Sequence, residues 1–122
     1  MEKTLVVDGQ QVNFKASSGT FRRYRFHFRR DLLTDMKILG ERVEKLGEDA
    51  GFTLNDLEMF ENIAWIMAKT ADDSVPDVDI WMDQFETFSI YEVLPELLKI
   101  FAANMEKTVE AKNSLATAAG KR

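Results

Sequence analysis

The stretch FRRYRFHFRR, residues 21 to 30, is the part of the chain whose residue types most suggest binding chemistry. It places five arginines, one histidine and four aromatic residues within ten positions. Arginine binds phosphate and carboxylate groups, and aromatic rings stack on exposed bases. The stretch could therefore bind nucleic acid, contact an acidic protein partner, or form the solvated side of a helix.

Two periodicities compete in this stretch. As a strand, Tyr24, Phe26 and Phe28 alternate with basic residues and resemble a sheet that stacks bases. As a helix, Phe21, Tyr24 and Phe28 share one face, and Phe26 is the aromatic residue that does not fit. We favour the helix because the aromatic stripe continues into an aliphatic one, and because the glycines of an RNA-recognition strand are missing. The arginines on the far side of this helix are Arg22, Arg23, Arg29 and Arg30.

Residues that could support catalysis are few. His27 is the only histidine, and no serine or cysteine nucleophile lies beside it. The acidic stretch DDSVPDVDIWMD lacks the sixth-position glycine of a calcium loop, whether the loop starts at Asp72 or Asp77. The glycines are scattered and form no phosphate loop. We therefore expect neither an enzyme nor a bound cofactor or metal.

An acidic segment could compensate the arginines, either within the folded monomer or across a subunit contact. Exposed ion pairs of this kind contribute only about 0 to 1 kcal/mol each. The members of the acidic segment are Asp72, Asp73, Asp77, Asp79, Asp83 and Glu86.

Length and composition indicate one globular domain. The chain has 122 residues, of which 45% are hydrophobic and 30% charged, and it contains no cysteine. Its formal charge of -5 disfavours a general attraction to nucleic acid or anionic lipid. We find no signal peptide and no apolar run of membrane-spanning length, so we expect a cytoplasmic protein without a membrane partner.

The first half of the chain predicts a hairpin followed by helices. Asp8-Gly9 lies between two runs of strand-forming residues and predicts a β-hairpin over residues 3 to 16. An apolar stripe from Leu32 to Leu46 predicts a helix that ends near Gly47. Thr53 is the expected N-cap of the next helix, which is apolar over most of its circumference and which we expect to be central.

The second half predicts two further helices and a tail. Pro76 interrupts the helical pattern, and Asp77 can cap a short aromatic helix that continues to Phe88. Ser89 opens a last helix with Glu92 as a capping box, although Pro95 also allows a start near Leu94. The predicted fold is mainly α: a small bundle of about five helices with an N-terminal β-hairpin, forming a single domain over 1–111. Residues 112–122 are expected to be a mobile tail.

Large apolar side chains are numerous for so small a protein. The chain has six methionines, two tryptophans and nine phenylalanines. They could fill the core, or part of them could line a groove that accepts helices of a partner. The positions we consider for such a groove are Trp65, Met67, Trp81 and Phe85.

Three segments together resemble a known family. TFRRYRFHFRRDLLTDM, FENIAWIMAKTAD and IWMDQFETFSIYEVLPELL are similar to tail assembly chaperones of long-tailed phages and prophages of Gram-positive bacteria. The resemblance covers roughly residues 3 to 105. The family often carries a glycine where this chain has Arg29, which leaves open whether Phe21 to Leu46 forms one kinked helix or two.

The resemblance implies a non-enzymatic chaperone of virion morphogenesis. Such proteins bind the tape measure protein, keep its apolar stretches in solution, help recruit tail tube subunits and leave before the virion is complete. It also implies action in the host bacterial cytoplasm and is compatible with a homo-oligomer. The residues we would then assign to partner binding are Arg22, Arg23, Arg29, Arg30, Trp65, Met67, Trp81 and Phe85.

Two alternatives and one further expectation remain. The chain could be a small nucleic-acid-binding regulator that uses the arginines between Arg22 and Arg30, or a structural head-tail joining protein. In the chaperone family a longer product is often made by ribosomal frameshifting near the end of the gene. Gly120-Lys121 could be encoded by such a slippery run.

Overall fold

A computed structural model describes the backbone of residues 1–45 and 51–120 and the side chains of residues 1–45 and 51–105. This part of the chain is mainly α-helical and begins with a two-stranded antiparallel hairpin, as the sequence predicts. The elements are β1 (Glu2–Val7), β2 (Gln10–Lys15), α1 (Ser18–Phe28), α2 (Leu32–Glu44), α3 (Leu54–Ala71), α4 (Val78–Met82) and α5 (Ile90–Gly120).

The hairpin has the turn that its sequence predicts. Asp8 and Gly9 both have positive φ, 52° and 74°, as a type I′ turn requires. A lone two-stranded hairpin is marginally stable in water, so its packing decides whether it forms. Strand β2 packs on α3 and β1 on α5, and the buried ring of Phe14 meets the edge of Trp81 at 6.5 Å between centroids.

Helix α3 is the central element, which confirms the expectation from its all-round apolar sequence. It contacts α1, α2, α4, α5 and β2. Its predicted N-cap is also confirmed: the Thr53 hydroxyl accepts the Asp56 N–H at 3.0 Å, and the Asp56 carboxylate accepts the Thr53 N–H at 3.0 Å. Each bond satisfies a backbone N–H group that has no intrahelical acceptor at the N-terminal end of α3.

The segment from Phe21 onward forms two helices rather than one kinked helix. Arg29 adopts the left-handed conformation, with φ 56° and ψ 34°, and its N–H donates to the Arg25 carbonyl at 2.9 Å. Asp31 then caps α2, because its carboxylate accepts the Leu33 N–H at 3.2 Å and the Thr34 hydroxyl at 2.7 Å. The helix that begins at Ser18 therefore ends at Arg29, and α2 begins as a separate helix at Leu32.

Helix α4 is shorter than predicted. It ends at Met82, and the chain then forms turns rather than continuing to Phe88. Phe85 and Phe88 nevertheless reach the ring of Trp81, with centroid distances of 5.2 and 5.4 Å. Phe85 and Phe88 thus pack on Trp81 from a loop. Their sequence spacing of four and seven residues after Trp81 is also typical of a helix, and so the sequence predicted a longer helix.

Helix α5 begins at Ile90, so the alternative start near Leu94 is wrong. Ser89 precedes the helix, and its carbonyl accepts the Val93 N–H at 3.0 Å. Pro95 lies inside the helix and removes only the bond to the Tyr91 carbonyl. The burial of the Ile90 and Val93 side chains favours this early start.

Helix α5 extends into the segment where the sequence predicts a mobile tail from residue 112, and the mobility of that segment stays a prediction. The backbone of α5 remains helical to Gly120, through the stretch where small and polar residues predicted a tail from residue 112. Alanine, which is frequent there, has the highest helix propensity. The predicted end of α2 at Gly47 and the predicted frameshift position at Lys121 lie outside the described residues, and α2 as described ends at Glu44.

Candidate partner-binding surfaces

Helix α1 turns one aromatic residue outward. Tyr24 is fully buried, Phe21 and Phe28 are half-buried against the core, and Phe26 is 70% exposed. This arrangement confirms the helical interpretation, in which Phe26 did not fit the inward stripe. The alternative, a base-stacking strand, is wrong for this segment.

Arginines surround the exposed Phe26 ring. Hollows of about 280 and 380 Å³ adjoin Phe26, and the Arg22 side chain lines both. Within residues 1–45 and 51–105, these arginines form no ion pair. We call this surface the arginine face; it consists of Arg22, Arg23, Arg25, Phe26 and Arg29, all exposed.

Arg30 does not belong to the arginine face, contrary to the sequence prediction. Its guanidinium binds the buried Asp35 carboxylate in a bidentate manner, with Nε to Oδ2 and Nη2 to Oδ1 both at 2.8 Å. The hydroxyl of buried Tyr24 donates to the same Oδ2 at 2.6 Å. Sequence reasoning missed Asp35, although its position three residues after Leu32 and four before Leu39 places it on the inward stripe of α2.

The titration of this trio follows from its geometry. Burial raises the pKa of Asp35, but the hydrogen bonds from Arg30 and Tyr24 and the Arg30 charge outweigh it and leave the pKa below its usual value. Burial, followed by the hydrogen bond and charge of Asp35, raises the pKa of Tyr24. The hydrogen bond to Asp35 raises the pKa of Arg30. Tyr24 and Arg30 therefore remain donors and Asp35 remains an acceptor at neutral pH.

His27 contacts aromatic rings rather than catalytic groups. Its ring is edge-on to Trp65 at 5.2 Å and tilted against Phe28 at 6.2 Å between centroids. The Trp65 indole N–H donates to the Pro76 carbonyl at 2.7 Å. His27 thus helps to cover Trp65. The hydrogen bond from the Trp65 indole to Pro76 links α3 to the segment before α4.

The predicted apolar partner groove is not a surface of this structure. Trp65, Met67, Trp81 and Phe85 are 3%, 0%, 3% and 8% exposed and belong to the core. His27 and Phe28 cover Trp65, while Phe14 and Phe85 cover Trp81. Sequence periodicity shows that one face of a helix is apolar but does not show which element packs on that face. In this structure, other helices, the hairpin and the loop after α4 pack on the faces that contain Trp65 and Trp81.

Among the described residues, an apolar cleft lies open between α1, α2 and α5. Its volume is about 400 Å³. Leu33 is 38% exposed, and Phe21 packs its ring edge on Phe101 at 5.6 Å between centroids. The residues that line this apolar cleft are Ser18, Phe21, Leu33, Asn104 and Met105.

The acidic segment does not neutralise the arginine face within one molecule. Its six carboxylates are exposed, and none of the ion pairs among the described residues includes them. The nearby Lys69 ammonium donates instead to the carbonyls of Asp73 and Val75, at 2.9 and 2.7 Å. Ile80 is 60% exposed among these carboxylates. We call Asp77, Asp79, Ile80 and Asp83 the acidic face.

Comparisons with known protein families, curated proteins and solved structures find no match for this chain. Among the described residues, no three histidine, aspartate or glutamate side chains are grouped so that they could hold a metal ion. No helix in the described part of the chain is both long enough and apolar enough to cross a bilayer. Three surface features of the described residues combine exposed apolar or charged side chains in a way that could bind a partner: the arginine face, the acidic face and the apolar cleft.

Proposed function

We propose that this protein is a tail assembly chaperone of a long-tailed phage or prophage. In this role it binds the tape measure protein in the host bacterial cytoplasm, helps recruit tail tube subunits and is absent from the finished virion. Two things support the proposal: the resemblance over residues 3 to 105, and a mainly α-helical fold whose described residues leave an apolar cleft open. The cleft is the observation that carries it.

A chaperone for a helical client needs apolar surface that accepts one side of a helix. Such recognition uses apolar anchors at helical spacing in a groove between helices. The cleft lined by Phe21, Leu33 and Met105 has this composition and lies between three helices. Because the Trp65 and Trp81 faces are internal, the cleft replaces them as the proposed client site.

The test is co-expression with a tape measure candidate, which we define as the product of a very long reading frame immediately downstream of this gene. We expect the chain to keep that protein soluble and Leu33→Glu to abolish the effect, because a carboxylate in the cleft would face an apolar client side chain. Leu33 is partly exposed, so the variant should change its own free energy of unfolding by only about 0.5 kcal/mol.

Leu54→Glu is the matched control, since Leu54 is 86% exposed and does not line the cleft. It should protect the tape measure candidate as the parent chain does. Equal protection by Leu33→Glu would contradict the proposed client site. A tape measure candidate that is equally soluble without any chaperone would contradict the proposed function.

The arginine face favours a second candidate, a small nucleic-acid-binding regulator. Exposed Phe26 could stack on a base while Arg22 and Arg29 contact phosphates. Such binding would weaken steeply with salt. A gel shift at low ionic strength tests this candidate, and the double variant Arg22→Glu with Arg29→Glu should then abolish retention of the nucleic acid.

A structural head-tail joining protein would instead be detected by mass spectrometry of purified virions.

A further inference from the structure

Strand β2 has one edge against β1 and a second edge that pairs with no other strand of the described chain. At the open end of the hairpin, Met1 and Ala16 exchange backbone hydrogen bonds of 2.8 and 2.9 Å. Bonded and non-bonded pairs alternate along an antiparallel ladder, so the N–H and C=O groups of Gln11 and Asn13 point away from β1. The free edge of β2 therefore presents these backbone groups to a partner.

This edge is open to the addition of a strand. Among residues 1–45 and 51–105, no hydrogen bond uses the outward N–H or C=O of Gln11 or Asn13. The next outward carbonyl, that of Lys15, instead accepts the Thr20 hydroxyl at 3.2 Å. Proteins usually protect an open edge with a proline, a charged side chain or a bulge. Residues 10–13 have none of these protections, and their register with β1 is unbroken.

A groove of about 310 Å³ follows the open edge, and we call it the edge groove. It lies where β2 meets the end of α3, the segment 72–76 and α4. Inward-facing Val12 and outward-facing Gln11 and Asn13 all line it, and no residue of β1 does. The groove therefore lies beside the edge rather than over one face of the hairpin. The four residues 10–13 span about 10 Å, enough for an extended segment of similar length.

The charge in the edge groove favours a cationic partner. Asp72 is the one charged residue of its lining. The Asp72 Oδ1 accepts the Ser74 N–H at 3.0 Å and the Ser74 hydroxyl at 2.7 Å. These bonds, with a smaller effect of the Lys69 charge, hold the pKa of Asp72 below its usual value. The Lys69 ammonium itself donates to the carbonyls of Asp73 and Val75, so the Asp72 carboxylate has no ion pair among the described residues.

We propose that the edge groove binds an extended segment of another polypeptide, which adds to β2 as a third strand and places a lysine or arginine beside Asp72. Backbone bonds to Gln11 and Asn13 would supply the affinity, as in other cases of strand addition. A helix cannot occupy this site, because its backbone groups are bonded internally. The inference does not depend on the proposed function, since the apolar cleft is a separate site for a helix.

Charge also separates this partner from a second copy of the chain. The matching edge of a second β2, residues 10–13, carries no lysine or arginine to place beside Asp72. Charge complementarity therefore favours a different polypeptide, and pairing of two β2 edges becomes an outcome of the test.

A short peptide is the probe, and nuclear magnetic resonance of the isotopically labelled full chain reports its binding. The peptide is acetylated and amidated Thr-Val-Lys-Val-Thr-Val, whose residues favour the extended conformation. We expect saturable shifts of the Gln11 and Asn13 amide signals. Replacing its Lys by Glu should weaken binding about threefold, because a second carboxylate then lies near Asp72. A peptide that is N-methylated at every residue should not bind, because it has no N–H to donate.

Two proline variants test the edge itself. Gln11→Pro removes one outward N–H and leaves the bonds to β1 intact, so it should weaken binding at least about tenfold. Val6→Pro is the matched control, because Val6 is the β1 partner of Gln11 and its N–H points to the opposite edge. Val6→Pro should bind the peptide as the parent chain does. Asp72→Asn keeps an acceptor for Ser74 and should remove the preference for the Lys peptide over the Glu peptide.

Circular dichroism shows which variants are folded, and the N-methylated peptide decides the outcome if Gln11→Pro does not fold. The proposal is overturned if about 1 mM peptide leaves the Gln11 and Asn13 signals unchanged. It is also overturned if the N-methylated peptide binds equally well, if both proline variants lose binding equally, or if the Lys and Glu peptides bind alike. Self-association of the parent chain that Gln11→Pro abolishes, without peptide binding, would assign the edge to a second copy instead.

Discussion

Arg29 and Arg30 are neighbours in the chain, yet their side chains have different roles. Arg29 is exposed on the arginine face, whereas Arg30 binds Asp35 and is also 3.7 Å from the Met59 sulfur. The bidentate pair and the Tyr24 hydroxyl satisfy the buried carboxylate. The trio therefore joins α1, the turn after it and α2, and Arg30 is a structural residue.

Asp35→Asn should lower the free energy of unfolding by about 1 to 3 kcal/mol at pH 7, because the Arg30 and Tyr24 donors lose a charged acceptor. The stability that Asp35 contributes should be fully present above its ordinary pKa of 3.8 and lost as the pH falls through its lower folded-state value. Urea unfolding from pH 7 to pH 2 measures both.

The matched control for this prediction is Asp73→Asn, at an exposed carboxylate without an ion pair among the described residues. It should change stability little at any pH. If the difference between the parent chain and Asp35→Asn stays constant down to pH 2, the charge of Asp35 does not stabilise the fold.

The break between α1 and α2 depends on a backbone conformation that arginine adopts only at a cost. The left-handed conformation costs a residue with a Cβ atom roughly 1 to 2 kcal/mol of conformational free energy, and it costs glycine almost none. The Asp31 cap and the Arg30–Asp35 pair stabilise the break between the two helices despite this cost. The two short helices are therefore defined by contacts on both sides of Arg29.

Arg29→Gly should raise the free energy of unfolding by about 0.5 to 1 kcal/mol, because relief of strain at φ 56° exceeds the extra entropy that glycine gives the unfolded chain. Arg29→Val should lower it, since β-branched residues fit this conformation worst. Thermal and urea unfolding of the three chains measure the order. Lower stability of the glycine variant than of the valine variant would contradict the described turn.

The sequence predicts the elements whose signals are local. Asp8-Gly9 predicts the hairpin turn, and the all-round apolar pattern predicts that α3 is central, because both follow from short-range chemistry. The end of α4 was not predictable in this way. Phe85 and Phe88 lie four and seven residues after Trp81, which is a helical sequence spacing, but they pack on Trp81 from a loop.

The chain as a whole shows why surfaces are harder to predict than elements. The inward and outward positions of α1 follow from its period, so exposed Phe26 could be anticipated. Whether an apolar face is core or groove depends on which elements fold over it, and Trp65, Met67 and Trp81 look the same in sequence in either case. The Tyr24–Asp35 contact likewise needs two helices to meet, which no single-helix pattern reveals.

The central claim is that a client helix binds in the apolar cleft while the core stays closed. Hydrogen–deuterium exchange of the chain, alone and in complex with the co-expressed tape measure candidate, tests it most directly. We predict slower exchange upon binding in α1, at the start of α2 and in the part of α5 near Asn104 and Met105, with α3 unchanged. Faster exchange in α3 around Trp65 and Met67, without protection at the cleft, would contradict the claim because it would mean that the core opens to bind the client.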